Sequence, residues 1–320
     1  MSWINRLALS AWRLVGCGSL VAVLCSCGEN VTQEDARTPF LVVLGIAQDA
    51  GFPQAQCRKN CCLAVWDYPE QHKKAACLGL VDLDLNKYWL FDATPDFKAQ
   101  TRWIESKWEV ELAGVFLTHA HIGHYIGLSQ LGREIAGASN MPVYAMPRMK
   151  QFLEENGPWD QLVELKNIKL VPLQADSTLQ ISEHATITPF LVPHRDEYSE
   201  TVGYKIVGEN KKAIFIPDID KWQKWVRDLG KEVTQVDLAF IDGSFYKNGE
   251  LGGRDMTTIP HPLVIESMAL LNDLEVSDRR KVHFIHMNHT NPLLQEHSAA
   301  QDSVRIQGFQ VAKEGAVFPI

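Results

Sequence analysis

The sequence predicts a mixed α/β (α+β) body of layered sheets and helices. Short apolar runs of strand length recur along the chain, and amphipathic segments of helical length fall between them. Several runs are continuous rather than alternating, the pattern of strands buried on both faces. In order, strands are expected at Phe40–Leu44 (FLVVL), Leu78–Val81, Tyr88–Phe91, Gly114–Leu117, Val143–Ala145, Ile187–Val192, Gly203–Val207, Ala213–Ile216, Leu238–Ile241 and Val282–Ile285. Helices are expected at Lys98–Lys107, Ile122–Ile135, Arg148–Asn156, Lys221–Leu229, Ile265–Asp273 and Ala299–Gly308. Trp222 and Trp225 stand three apart in one of these, and core packing on one helical face is the expectation there. No repeat, low-complexity tract or Pro/Gly-rich linker follows residue 39, so residues 39–320 are expected to form a single domain.

Composition narrows the function. The 320 residues are 46% hydrophobic and 22% charged, which excludes a disordered, collagenous or polytopic membrane chain. Lys plus Arg number 31 against 39 Asp plus Glu, a formal charge of −8. Such a surface repels phosphate backbones, so no nucleic-acid partner is expected.

Residues 1–26 read as an export signal. Arg6 and Arg13 are the only charges, and the uncharged run Leu14–Leu24 is too short to span a bilayer. Leu24-Cys25-Ser26-Cys27 then resembles a bacterial lipobox, with Cys27 as the lipidation site. Leu14-Val15-Gly16-Cys17 fits the box locally, but Arg13 would interrupt its apolar run. The expected organisation is a lipoprotein-type signal over 1–27, a polar tether over 28–38, and the folded body. A non-lipidated signal or an uncleaved anchor is the alternative. The expected location is the cell envelope, held to the membrane by the lipid and facing the periplasm in a Gram-negative cell. Without Arg6 and Arg13 the balance is 29 basic to 39 acidic, or −10.

Four cysteines remain in the body: Cys57, Cys61, Cys62 and Cys77. An oxidising compartment leaves a disulfide open. Three cysteines over residues 57–62 suit a metal better, because the adjacent pair Cys61–Cys62 makes a strained disulfide.

The strongest chemical signal is Leu117-Thr118-His119-Ala120-His121-Ile122-Gly123-His124. A strand ends at Leu117, and three imidazoles follow. His119 and His121 can face one point from an extended turn, and His124 follows where a helix would start. Imidazole is the commonest biological ligand for zinc. Other strand ends deliver His194, Asp218 and His286, with His289 three residues later. In α/β sheets such ends line a common ligand crevice.

This constellation resembles the metallo-β-lactamase superfamily, whose signature is HxHxDH followed by a lone His, a lone Asp and a final His. His119, His121, His124, His194, Asp218 and His286 stand in that order. The resemblance covers about residues 40–315 and implies a metallo-β-lactamase-type αβ/βα four-layer sandwich. Asp92, in Leu90-Phe91-Asp92-Ala93-Thr94-Pro95, matches the acidic residue that supports the His loop in that superfamily. Gly51-Phe52-Pro53-Gln54 before the Cys cluster, Asp92–Asp96 and His286–Pro292 resemble motifs of the coenzyme PQQ biosynthesis protein B group.

The resemblance implies a first metal site of His119, His121 and His194 and a second of His124, Asp218 and His286. Zinc is the expected ion, one or two in the active site, with iron or manganese as alternatives there. One departure stands out: Gly123 occupies the position of the motif aspartate, which ligates the second metal in the family. The second site is therefore expected to be one ligand short, and a Gly123→Asp variant discriminates: a sharp rise in phosphodiesterase turnover marks a weakened hydrolase, and metal binding without turnover in either form favours a non-catalytic carrier. A further structural zinc is expected on Cys57, Cys61 and Cys62. His289 is the fourth ligand by analogy with the phosphodiesterase branch; His72 and Cys77 are alternatives, Cys77 being the better candidate for buried packing.

For catalysis, Asp218 is expected to bridge two metals or hold the nucleophile. His261 is the candidate proton donor, with Tyr204 as a second choice. Asp242 follows another buried strand and is a candidate substrate contact or a turn residue. Asp49, after the first strand, invites the same two readings. The leading function is a metal-dependent hydrolase that attacks a small ester or phosphodiester through zinc-activated water. The alternatives are a metal-dependent oxygenase or hydroxylase, implied by the PQQ-group resemblance, and a non-catalytic metal-binding envelope protein. The partner is a small-molecule substrate, and the sequence leaves the oligomeric state open.

Overall fold

A computed structural model describes residues 38–320. Cys27, the signal and residues 28–37 of the tether lie outside them. Among the described residues no helix is long and apolar enough to cross a membrane.

Two seven-stranded sheets organise the described residues. The first is built from β1 (Phe40–Gly45), β2 (Cys77–Asp82), β3 (Lys87–Phe91), β4 (Glu111–Phe116), β5 (Met141–Ala145) and β6 (Ile168–Pro172). The second takes β7 (Leu179–Gln180), β8 (Thr186–Leu191), β9 (Val202–Val207), β10 (Lys212–Ile216), β11 (Leu238–Asp242), β12 (Val282–Ile285) and β13 (Gln310–Val311). The last strand, β14 (Val317–Pro319), returns to pair antiparallel with β1. In each sheet the order follows the chain, with β14 outside β1 and β13 at the opposite edge from β7.

Each sheet has antiparallel and parallel parts. Strands β3 to β6 run parallel, as do β10 to β13. The parallel parts carry their carboxyl ends to one rim, where α/β folds place ligands. Register aligns those ends. Phe91 pairs with Phe116, Ile216 with Ile241, and Asp242 with Ile285. The residues that follow, Asp92, Leu117–Thr118, Asp218 and His286, therefore emerge side by side.

The period of two explains the continuous apolar runs. Along β1, Leu41 and Val43 face the core between the sheets, while Phe40, Val42 and Leu44 face the helical layer outside. Between the sheets, the rings of Phe91, Phe116, Tyr204 and Phe215 pack with centroids 5.3 to 6.2 Å apart. On the outer face of the first sheet, Phe97 and Ile104 of the helix Phe97–Trp108 and Met149 and Leu153 of the helix Pro147–Glu155 cover Tyr88, Leu90 and Val115. The helices Val264–Leu270 and Ala299–Ile306 contribute Val264, Met268 and Val304 to the apolar core continuous with the second sheet. The result is the expected four-layer αβ/βα sandwich.

Two expected helices come out differently. Ile122–Ile135 is a short α-helix, Ile122–Tyr125, followed by a 3₁₀ segment, Ile126–Leu131. Glycines at 123, 127 and 132 weaken continuous helix there. Lys221–Leu229 holds only the 3₁₀ turn Trp222–Lys224, and the α-helix starts at Leu229. Trp222 and Trp225 are still buried, but each is tied individually: Trp222 Nε1 donates to Ser267 Oγ and Trp225 Nε1 to the Leu191 carbonyl. The sequence pattern does not reveal β6, β7, β13 and β14, short or edge strands with partly exposed residues.

His283, within β12, lies between the rings of Phe240 and Phe318 at 5.2 and 5.1 Å. Desolvation lowers its pKa from 6.5 to about 4. Between those values the unfolded chain binds more protons than the folded one, so folding stability falls as pH drops through that window. Relative to a His283→Leu variant, the wild type is expected to lose up to roughly 3 kcal/mol between pH 7 and pH 4, since each tenfold difference in proton affinity is worth about 1.4 kcal/mol. Urea midpoints at the two pH values check this; parallel losses in both proteins would refute it.

Candidate metal centre

Asp92 organises the histidine loop. It sits directly after β3 with φ 74°, a conformation rare for a residue with a side chain. Its Oδ1 accepts from the Thr118 backbone N–H at 2.8 Å and from Thr118 Oγ1 at 2.9 Å. Its Oδ2 accepts from His124 Nδ1 at 2.7 Å. That bond fixes the orientation of the His124 ring and turns its Nε2 toward the site. The other imidazoles are oriented in the same way. His119 Nδ1 lies 2.9 Å from Thr118 Oγ1, His121 Nε2 3.1 Å from Glu197 Oε2, and His286 Nδ1 3.0 Å from Ser244 Oγ. The nitrogens left over point inward.

Those inward atoms form two adjoining groups. The first is His119, His121, His194 and Asp218. Asp218 Oδ2 lies 3.3 Å from His119 Nε2, 3.2 Å from His194 Nε2 and 3.9 Å from His121 Nδ1. The second is Asp49, His124 and His286. Asp49 Oδ1 lies 3.3 Å from His124 Nε2 and 3.5 Å from His286 Nε2. Asp218 Oδ2 reaches toward the second group as well, 4.0 Å from His124 Nε2.

The donor set fits metal ions. His194 Nε2 and His121 Nδ1 face each other at 3.2 Å, as do His286 Nε2 and His124 Nε2. The outer nitrogens of His121, His124 and His286 are each held by a partner, and a cation between such facing inner nitrogens would take both as ligands. Nitrogen ligands at about 2.0–2.1 Å from a tetrahedral zinc lie about 3.3 Å apart, close to these spacings. His119 Nε2, Asp49 Oδ1 and Asp218 Oδ1 are buried atoms with no hydrogen-bond partner. Desolvation and the neighbouring imidazoles hold His119 well below its ordinary pKa, so it is neutral, the form that ligates. Burial alone would raise the carboxyls of Asp49 and Asp218. The surrounding imidazoles reverse the sign and keep both well below the usual range.

All six sequence-derived active-site ligands therefore converge. Asp49 is the addition, entering from the loop after β1. The signal was available: a motif lacking its carboxylate at 123 needs one from another strand end. Asp242 is corrected. Its side chain is fully buried, accepts from the Ile219 and Ser244 backbone N–H groups, and lies 2.8 Å from His261 Nδ1, so it orients His261 rather than touching substrate. Tyr204 is also buried, its hydroxyl donating to the Leu117 carbonyl, which removes it as a proton donor. His261 keeps its place beside the centre, with Nδ1 3.2 Å from Asp218 Oδ1. Burial disfavours its charged form, but the carboxylates of Asp242 and Asp218 outweigh this and raise it to about 9.

A separate cluster joins Cys57, Cys61, Cys62 and His289. His289 Nδ1 is 3.4 Å from Cys62 Sγ and 3.6 Å from Cys61 Sγ, and the two sulfurs are 3.9 Å apart. A disulfide requires about 2.05 Å. Thiolates about 2.3 Å from a tetrahedral zinc stand about 3.8 Å apart. His72 is elsewhere, its Nε2 3.1 Å from the Val65 carbonyl, and Cys77 is wholly buried against the Leu78 and Asp92 carbonyls.

A family model described as a beta-lactamase superfamily domain matches residues 88–287. The chain is 26% identical over 305 residues to the coenzyme PQQ synthesis protein B of Xanthomonas campestris pv. campestris, covering 86% of this chain and 98% of that one. Among solved structures it resembles zinc-bound PqqB from Methylobacterium extorquens, with TM-score 0.74, 23% identity, and 88% and 100% of the two chains covered. It also resembles a diphosphatase from the PhnP family, with TM-score 0.65, 20% identity, and 88% and 96% covered.

Proposed function

Because this chain belongs to the beta-lactamase superfamily, we propose that it is a metal-dependent hydrolase whose two-ion centre opens a small ester or phosphodiester. The observation that carries this reading is the double ligand group with Asp218 Oδ2 between its halves. His119, His121 and His194 would hold the first ion, and His124 and His286 the second. Zinc in such a site polarises the substrate and brings the pKa of a coordinated water to about 7.

The protein's own residues do the rest. Asp218 fixes the spacing of the two halves. His261, raised to about 9, is protonated at neutral pH. Its Nδ1 proton is held by Asp242, so the proton it gives to the leaving group is the one on Nε2. After that transfer the neutral ring stays oriented by the same carboxylate. Export and lipid attachment at Cys27 would place this chemistry in the envelope; a diacylglyceryl mass increment on the N-terminal peptide is the check.

The direct test strips the full chain with a chelator, reloads it with zinc and assays bis-p-nitrophenyl phosphate and p-nitrophenyl esters. Zinc-dependent turnover is expected, with an alkaline limb falling near pH 9. His261→Gln is expected to lose that limb and roughly 10²-fold in rate. A fully loaded protein that cleaves none of these substrates defeats the reading. The second reading, an oxygenase or hydroxylase, draws on the relatives named for coenzyme PQQ synthesis and on nitrogen-rich ligation that also suits iron. Oxygen uptake by the iron-loaded protein separates the two.

A further inference from the structure

Gly123 occupies the motif position at which the superfamily signature has aspartate, and the reason lies across the site. A Cβ added at Gly123 would come within 2.4 Å of Asp49 Cα, 2.6 Å of Asp49 Oδ1 and 2.7 Å of Asp49 Cβ. Asp49 thus fills the volume that a side chain at 123 would use. Its Oδ1, buried and without a hydrogen-bond partner, points at the Nε2 atoms of His124 and His286.

The Asp49 turn is anchored at both ends to the segment that carries His286. On one side, Gln48 N–H donates to the Met287 carbonyl at 2.8 Å, Asn288 Nδ2 donates to Gln48 Oε1 at 2.6 Å, and Ala47 bridges to Met287. On the other, Gln54 N–H approaches Cys62 Sγ at 3.4 Å, and Cys61 and Cys62 approach His289. Asp49 itself adopts φ 23°, outside the conformations an unrestrained aspartate prefers.

We propose that Asp49 supplies the second-ion carboxylate that position 123 lacks, and that the Cys57–Cys61–Cys62–His289 cluster, once it holds its own ion, clamps the loop that presents Asp49. The motif has moved its acidic ligand to another strand end without changing where the charge sits. The assignment rests on the two-ion reading above. It also bears on the Gly123→Asp variant. Backbone at Asp49 stands in the way, so that variant is expected to disturb the second site rather than strengthen it.

The test is metal binding by the full chain. Zinc is titrated under a competing chelator and counted by elemental analysis. Cobalt substitution then distinguishes the thiolate site, through its sulfur-to-metal charge-transfer band, from the nitrogen and oxygen sites. The wild type is expected to take three ions. Asp49→Ala is expected to keep the thiolate-site ion and the first active-site ion, and to bind the second at least about 100-fold more weakly. Cys61→Ser is expected to lose the thiolate-site ion and to weaken the second active-site ion while sparing the first. If Asp49→Ala does not fold, judged by circular dichroism, the isosteric Asp49→Asn carries the same expectation. An Asp49 variant that folds and binds the second ion as the wild type does overturns the assignment. A Cys61→Ser protein whose second ion is unaffected overturns the clamp. A wild type that takes only one active-site ion at saturating zinc overturns the two-ion reading instead.

Discussion

Replacing His119 with alanine is expected to reduce zinc-dependent turnover by about a thousandfold or more. Its Nε2 is buried, unpartnered within the protein and 3.3 Å from Asp218 Oδ2, so no other group stands ready to take its place. Loss of the ion forfeits several kcal/mol of transition-state stabilisation, and each ~1.4 kcal/mol is tenfold in rate. The fold should survive, because the ring faces the metal centre while the apolar layers pack elsewhere. Parallel measurement of kcat/KM, bound zinc and the thermal midpoint separates these effects. Turnover within tenfold of the wild type, in a variant that has lost one zinc, would remove His119 from the chemistry.

The second large effect concerns stability. Changing Cys61 and Cys62 together to serine is expected to abolish thiolate-site metal binding and to lower stability by at least about 4 kcal/mol, in the range where loss of a metal site is a recognised cause. Structural zinc in small finger peptides binds with about 10–16 kcal/mol, but this chain has extensive cores of its own, so only part of that figure should appear. At roughly 2–4 °C per kcal/mol, the thermal midpoint should fall by about 10 °C. Chelator should lower the wild-type midpoint and leave that of the variant almost unchanged at the thiolate site. A variant as stable as the zinc-loaded wild type would mean that the four residues hold no structural ion.

Much of this arrangement was legible in the residues. The strand runs Phe40–Leu44, Tyr88–Phe91 and Ala213–Ile216 were readable because both faces of each strand are buried, which writes continuous hydrophobicity into the chain. The metal ligands were readable for a chemical reason. Imidazoles after successive strand ends have few other uses in such number. Asp92 was readable through the resemblance to the superfamily's acidic strand end, and the β3–β4 register sets it beside the His loop.

Other features were not. The Lys221–Leu229 segment has helical spacing of its tryptophans, yet Ser267 and the Leu191 carbonyl hold those rings one at a time, and the chain between them is not an α-helix. Asp242 reads locally as a turn or a rim residue; the Ser244 N–H two residues on does close such a turn, while Ile219 and His261 from other segments enclose the second oxygen.

The sequence by itself determined the layered α/β body and the presence of a thiol cluster, since period and composition encode burial and donor chemistry directly, and the order of its histidines and Asp218 carried the resemblance that implied most ligands. Only the tertiary structure decided that Asp49 stands over Gly123 and that Asp242 serves His261. Each of those is a meeting of residues far apart in the chain. Their proximity depends on how the two sheets and their loops close at one rim, a property that no local pattern records.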